Sequence, residues 1–256
     1  MQDLRSYQPV HHLSTTEQGG LALVQFGALV LVQVYATLGL GRYLKSKLPA
    51  SLFDSSWGFG LVTHCAGFLV AVALMASLKP FFSGSFGFSL PKGRSFVWPA
   101  LWIGAVFGIL MLGVDHYSEL LARRPPVGPY STSLGNMIPW LIIQGSVVGL
   151  TEETVFRSLF QGYLMTRIKA QVRVGRYKLS FAGVLAAVLF SLAHADAFWH
   201  APLIAALGQQ IYAIGFGLLC AYLFEQSGSI LAPIVAHNAG DFVEWSCRFA
   251  LRAVWS

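Results

Sequence analysis

Charge is what this sequence has least of. Only 11% of its 256 residues are Asp, Glu, Lys or Arg, while 55% are hydrophobic, and the mean hydropathy is +0.60. A soluble domain carries about 25% charge. The shortage excludes a soluble globular fold, a disordered chain and a coiled coil. Cysteine is scarce too. Cys65, Cys220 and Cys247 all lie in apolar stretches and form no Cys-x-x-Cys pair, which excludes a disulfide framework and a cysteine zinc site. No internal repeat or low-complexity tract stands out. The net charge of +6 does not point to nucleic acid, because the basic residues sit in short loops between apolar runs, where they orient a membrane protein.

What is abundant is apolar sequence in long runs. A helix needs about 20 apolar residues to span a bilayer, and seven segments qualify: 20–41, 58–78, 97–114, 137–165, 180–199, 202–224 and 229–250. Pro and charged clusters separate them, including Arg42 to Pro49, Lys79 to Arg94, and Arg123 to Pro129. Main-chain polar groups must bond internally in lipid, and the alternation of a barrel strand is absent, so the expected fold is an all-α integral membrane protein of about seven helices. Residues 1–19 are polar and the first apolar run is too long for a signal peptide, so it is expected to remain as the first span. Lys and Arg divide nine to seven between the two sides, with Arg5 among the nine. The densest cluster, Arg167, Lys169, Arg173, Arg176 and Lys178, decides the orientation: that loop and the amino terminus are placed in the cytoplasm.

Ionisable residues inside spans are costly, so each is a functional hypothesis. They concentrate in the last four segments; the first three carry His64, with Asp115 and His116 at an edge. In Thr151-Glu152-Glu153-Thr154-Val155-Phe156-Arg157 the two carboxylates point about 100° apart on a helix. Arg157 is four residues after Glu153 and can pair with it, leaving Glu152 without a local partner. Phe190 and His194 are again one turn apart, as are His237 and Asp241. A carboxylate so placed can hold an imidazole in one tautomer. Asn238 points elsewhere and suits a hydrogen bond between helices. Asp196 and His200 read as wetted interfacial groups, and Glu244 either extends the His237 network or reaches the surface. Glu152 and His194 lie at similar distances, about 22 Å, from the basic loop. Gly145, Gly149, Ala193, Ala236, Ala239 and Gly240 permit close helix approach.

One carboxylate and two imidazoles suit water activation. Glu152 would act as general base, His194 would hold the water or bind a metal, and His237 would stabilise an oxyanion, oriented by Asp241. A zinc site built from Glu152, His194 and His237 is chemically open as well, and the residues alone do not choose between the two. Other hydrolytic signatures are missing: there is no His-Glu-x-x-His, no Gly-x-Ser-Gly, no Gly-x-Gly-Asp and no P-loop.

Taken together, Glu152-Glu153-x-x-x-Arg157, Phe190-x-x-x-His194 and His237-x-x-x-Asp241, in that order on successive apolar segments, resemble the type II CAAX prenyl endopeptidases. This group is also called the CPBP or Abi intramembrane proteases. The resemblance covers about residues 140–250. It implies a multi-helix membrane fold with a catalytic cavity open to the cytosol, and cleavage of a peptide bond, in prenylating systems next to a lipidated Cys. It implies that Glu152, His194 and His237 are catalytic and that Glu153, Arg157 and Phe190 support them. Asp241 stands where the family often has Asn. The expected organisation is an N-terminal set of spans over 1–135 and a catalytic helical core over 136–256. The expected partners are the lipid bilayer and a peptide or prenylated-protein substrate, with no nucleic acid. The expected location is the cell membrane of a bacterium or archaeon. The rivals are a proton-coupled transporter, in which Glu152, His194 and His237 relay protons, and a non-catalytic membrane scaffold.

Overall fold

The computed structural model describes residues 15–81, 84–91, 95–126, 131–174 and 176–255. Arg5, Lys92, Arg94, Pro129 and the polar residues 1–14, which entered the expectations above, lie outside them. The chain is an all-α membrane protein. Helices α1 (Thr15–Lys47), α2 (Ser56–Leu78) and α3 (Val97–Asp115) come first, with a short α4 (Tyr117–Ala122). A long α5 follows (Leu134–Arg167). Then come strands β1 (Gln171–Val174) and β2 (Tyr177–Ser180), helix α6 (Phe181–Leu192), a one-turn α7 (Ala197–His200), α8 (Leu203–Ser227) and α9 (Leu231–Trp255).

Among the described residues, six helical stretches are long and apolar enough to cross a membrane. The seventh expected span, 229–250, is a helix as read but falls short on hydropathy. Its polar side chains are turned inward instead: His237 and Glu244 on α9 are buried. Outward-facing Val24, Tyr35, Trp98, Trp102, Ile109 and Ile211 are each more than half exposed, an apolar girdle that only lipid would cover.

Three local expectations change. The basic loop is an antiparallel hairpin, with Gln171 opposite Ser180 and Arg173 opposite Lys178. Its base is tied to the bundle by Glu225 on α8, whose carboxylate accepts from the Ser180 hydroxyl (2.6 Å) and from Gln161 Nε2 (2.9 Å). Ser180 in turn caps α6 by accepting from the Gly183 N–H. Second, α5 is not uniformly α-helical: Ile143–Val148 and Thr154–Gln161 are π-helical. Third, α6 ends at Leu192, so His194 stands in a turn rather than on a helix.

The most extensive helix pair is α3 with α9. On α3 the buried residues are Ala100, Gly104, Gly108 and Leu112, a stripe spaced every fourth residue. Its glycines let the backbones touch. A Cβ at Gly104 would run into the Ala236 carbonyl, and one at Gly108 into the Gly240 carbonyl. This contact sets the depth of His237 between them. Gly108→Leu should therefore lower stability by about 1–3 kcal/mol or more, the range for overpacking. Gly113→Ala on the same helix, where no atom lies within 4 Å, should leave it unchanged. Thermal unfolding in detergent checks both.

Candidate active site

Glu152 and Glu153 occupy the short α-helical stretch Gly149–Glu153 between the two π segments of α5. Extra residues in a helical turn re-aim side chains, and such insertions recur at functional sites. The neighbouring carboxylates, about 100° apart on the helix, meet different surroundings. Glu153 has no exposed surface. Its Oε2 lies 2.9 Å from Arg157 Nε, also fully buried, and its Oε1 accepts a 2.7 Å hydrogen bond from His237 Nδ1. The Arg157 guanidinium also sits 5.5 Å from the centre of the Phe190 ring. Glu152 stays 21% exposed and faces a cavity of about 200 Å³ between α2, α5 and the turn after α6.

His237 is held on both sides. Its Nδ1–H is committed to Glu153, and Nε2 lies 3.7 Å from Glu152 Oε2 and 3.6 Å from Asp241 Oδ2. The carboxylate at hydrogen-bonding distance is thus Glu153, and Asp241 stands off on the other side of the ring. This differs from the expectation that Asp241 orients His237. The reason is reach: Glu153 faces α9 across the interface, whereas Asp241 shares a helix face with His237 and meets only its outer edge. Phe190 and Phe216 pack their edges against the same imidazole at 5.7 and 5.3 Å between centroids. Asn238 accepts from the Gly149 N–H (2.8 Å) and donates to the Ser146 carbonyl (3.3 Å), joining α9 to α5 where the π segment ends.

His194 lines the cavity opposite Glu152. Its Nδ1–H donates to the Phe190 carbonyl at 2.9 Å, and its ring centre is 4.8 Å from that of Phe190. That bond fixes the tautomer and leaves Nε2 with its lone pair. The turn is held by Gln210 on α8, whose Nε2 donates to the His194 carbonyl (3.0 Å) while its Oε1 accepts from Ser191 Oγ (2.7 Å). Gln210→Ala should loosen this turn and lower turnover by up to about 100-fold, as small displacements of a catalytic group do. The fold should stay intact, as steady-state rates and unfolding curves together would show.

Two site residues escaped motif reading. His64 on α2 lines the same cavity, with Nδ1 3.7 Å from Glu152 Oε1. The Thr151 hydroxyl donates to the Val148 carbonyl, so it accepts from His64 Nδ1, 3.2 Å away. The usable signal was an ionisable residue alone in an apolar span. Gln210 had no signal, since one amide in a helix rarely distinguishes itself. Asp196 and His200 are exposed, in keeping with wetted positions, and Glu244 is buried and paired with Arg248 at 3.2 Å, away from His237.

A zinc ion would need Glu152, His194 and His237 to close around one point. Among the described residues no three His, Cys, Asp or Glu side chains are grouped to hold a metal. As folded, these residues are not gathered for one. Glu152 and His194 line one cavity, and the His237 imidazole stands 3.7 Å from Glu152.

Comparison with known proteins agrees with this geometry. Residues 134–243 match the family described as Type II CAAX prenyl endopeptidase Rce1-like. A putative membrane peptidase of Bacillus subtilis, YdiL, is 25% identical over 218 residues, covering 84% of this chain and 80% of the relative. No solved structure matches. The matched stretch begins with α5 and ends two residues past Asp241, taking in the carboxylate pair, the His194 turn and His237, so the similarity to the type II CAAX prenyl endopeptidase-like family falls on this helical core.

Proposed function

We propose that this protein is an intramembrane endopeptidase in which Glu152 activates water. The carrying observation is the division of labour between adjacent carboxylates. Glu153 is sealed and neutralised by Arg157 and His237, while Glu152 alone of the pair opens into the cavity. His194 Nε2 and Glu152 hold the water from two sides. Glu152 takes its proton as the oxygen attacks the scissile carbonyl carbon. In its imidazolium form His237 keeps Nδ1–H on Glu153 and directs Nε2–H to the oxyanion. Glu152 then returns the proton to the leaving amine, the C–N bond breaks, and one peptide bond and one water become a carboxylate and an amine. His64 keeps its Nδ1–H toward Thr151 and Glu152 and positions the base. The relative from Bacillus supports a place in a bacterial or archaeal cell membrane, and the family supports a peptide or prenylated-protein substrate.

The test is cleavage by purified protein in detergent of a farnesylated Cys-aliphatic-aliphatic-x peptide and its unlipidated twin. Cleavage of either establishes the endopeptidase, and the ratio of rates reports whether the lipid is recognised. A chelator should leave the rate unchanged. Cleavage of neither peptide, with proton flux across vesicles instead, would replace this reading with a proton-coupled transporter.

A further inference from the structure

His194 has a second face. Beyond it lies another cavity, of about 250 Å³, lined by Asp115, His116, Asp196, Gln209 and Arg248 together with small apolar residues. His194 is the residue common to this cavity and the one holding Glu152. The elements that build it are the end of α3, the turn into α4, the turn between α6 and α7, and the starts of α8 and the last turns of α9. Apart from His194, none of its polar groups has a role in water activation.

The chemistry of the walls favours a positively charged hydrogen-bond donor. Two carboxylates, Asp115 and Asp196, face the space. Arg248 is the cation among the lining residues; it lies 3.2 Å from Glu244, its guanidinium is stacked 3.9 Å above the Trp245 ring, and its charge also acts on Asp115 and His116, so the walls carry one more carboxylate than cation. Two further polar side chains are more than nine-tenths buried and have ring or amide atoms without a hydrogen bond. Gln209, 9% exposed, leaves its Oε1 without a donor, and His116, 6% exposed, has no hydrogen bond at either ring nitrogen. Glu119, 3.8 Å from His116 Nδ1, is too far for one. Burial pushes the His116 imidazole down to about 4, so at neutral pH the ring is uncharged and presents an acceptor. Buried acceptors without donors are costly, and an ammonium or guanidinium group carries donors and the charge that the two aspartates complement.

We propose that this cavity is a subsite for a Lys or Arg side chain of the peptide substrate, recognised by Asp115 and Asp196 and by the free acceptors of Gln209 and His116. The inference rests on the endopeptidase reading for the substrate's being a peptide. His194, as the shared wall, places the basic side chain within a few residues of the scissile bond. The groove on the other side of Glu152, between α1, α5 and α6, is lined by Val30, Val34, Leu38, Phe160, Leu189 and Leu192 and takes apolar substrate. The basic side chain therefore belongs to the water-soluble part of the peptide.

The probes are the farnesylated peptide of the cleavage assay with Lys, norleucine or Glu in its last position. Their binding to Glu152→Gln protein is measured by calorimetry in detergent, which reads the subsite whether or not the bond is cut. The Lys peptide should bind about tenfold more tightly than the norleucine peptide, and the Glu peptide more weakly than either. Asp196→Lys, at an exposed position that the fold tolerates, should reverse the order in favour of Glu, which a merely structural role for Asp196 would not do. Equal binding of the three peptides, or an order unmoved by Asp196→Lys, overturns the subsite. Should the wild type cut all three at one rate, the endopeptidase stands and the subsite falls. Should it cut none while Lys selectivity in binding persists, the subsite stands and the endopeptidase falls.

Discussion

Glu152→Gln will lower peptide cleavage by about 10²- to 10⁴-fold, the contribution of a positioned general base, with little loss of stability. The substitution keeps the shape of the side chain and removes its basicity. Glu152 is partly exposed to the cavity, and the imidazoles of His237 and His64 lie 3.7 Å from its oxygens, outside hydrogen-bonding distance. Glu152 Oε2 already has no hydrogen-bond partner, so an amide there strands no group that the carboxylate had satisfied. The measurement is a single-turnover rate on the cleavable peptide, with an unfolding curve on the same preparation. A variant that keeps more than a tenth of the wild-type rate would remove Glu152 from the role of base. Glu153→Gln, one position along, should behave differently: it should lose both activity and stability, because its carboxylate balances Arg157 and holds His237.

Arg157→Leu will have the largest effect on the fold, about 3–5 kcal/mol, the cost of breaking a buried ion pair from one side. Arg157 has no exposed surface. Removing it strands the equally buried Glu153, and His237 then becomes the remaining cation within reach. Arg157→Lys should not restore the wild type, since an ammonium cannot both pair with Glu153 and spread over the Phe190 ring as the planar guanidinium does. Thermal unfolding in detergent orders the variants. A Leu variant as stable as the wild type would show that Glu153 had become protonated or hydrated, and that the ion pair does not hold the site together.

Much of the molecule was legible in the residues. Low charge and long apolar runs meant lipid-facing helices, and six of the seven segments are helical throughout their described core, while 180–199 is broken by the turn after Leu192. The spacing of Glu153 and Arg157 implied their pairing, and so implied that Glu152 was left over, because one helical turn brings residues four apart together whatever the fold. Asn238 as a bond between helices followed from its direction relative to His237. The small residues on α9 announced a close neighbour, although not that the neighbour was the glycine stripe of α3.

Other features depended on contacts between segments far apart in the chain. The partner of His237 is a carboxylate 84 residues earlier, and no periodicity within α9 could prefer it to Asp241 four residues on. Two π segments flank Glu152 and Glu153 on α5, and π geometry leaves no mark in a hydrophobic pattern. His64 joins the site because α2 happens to pack beside α5, and Gln210 because α8 returns past the His194 turn. The sequence by itself determined which residues must be hidden from lipid, since burial cost is a property of each side chain and its immediate neighbours. Only the tertiary structure decided which of those hidden groups meet, because hydrogen bonds and ion pairs act over about 3–4 Å, and it is the packing of helices that brings distant positions within that range.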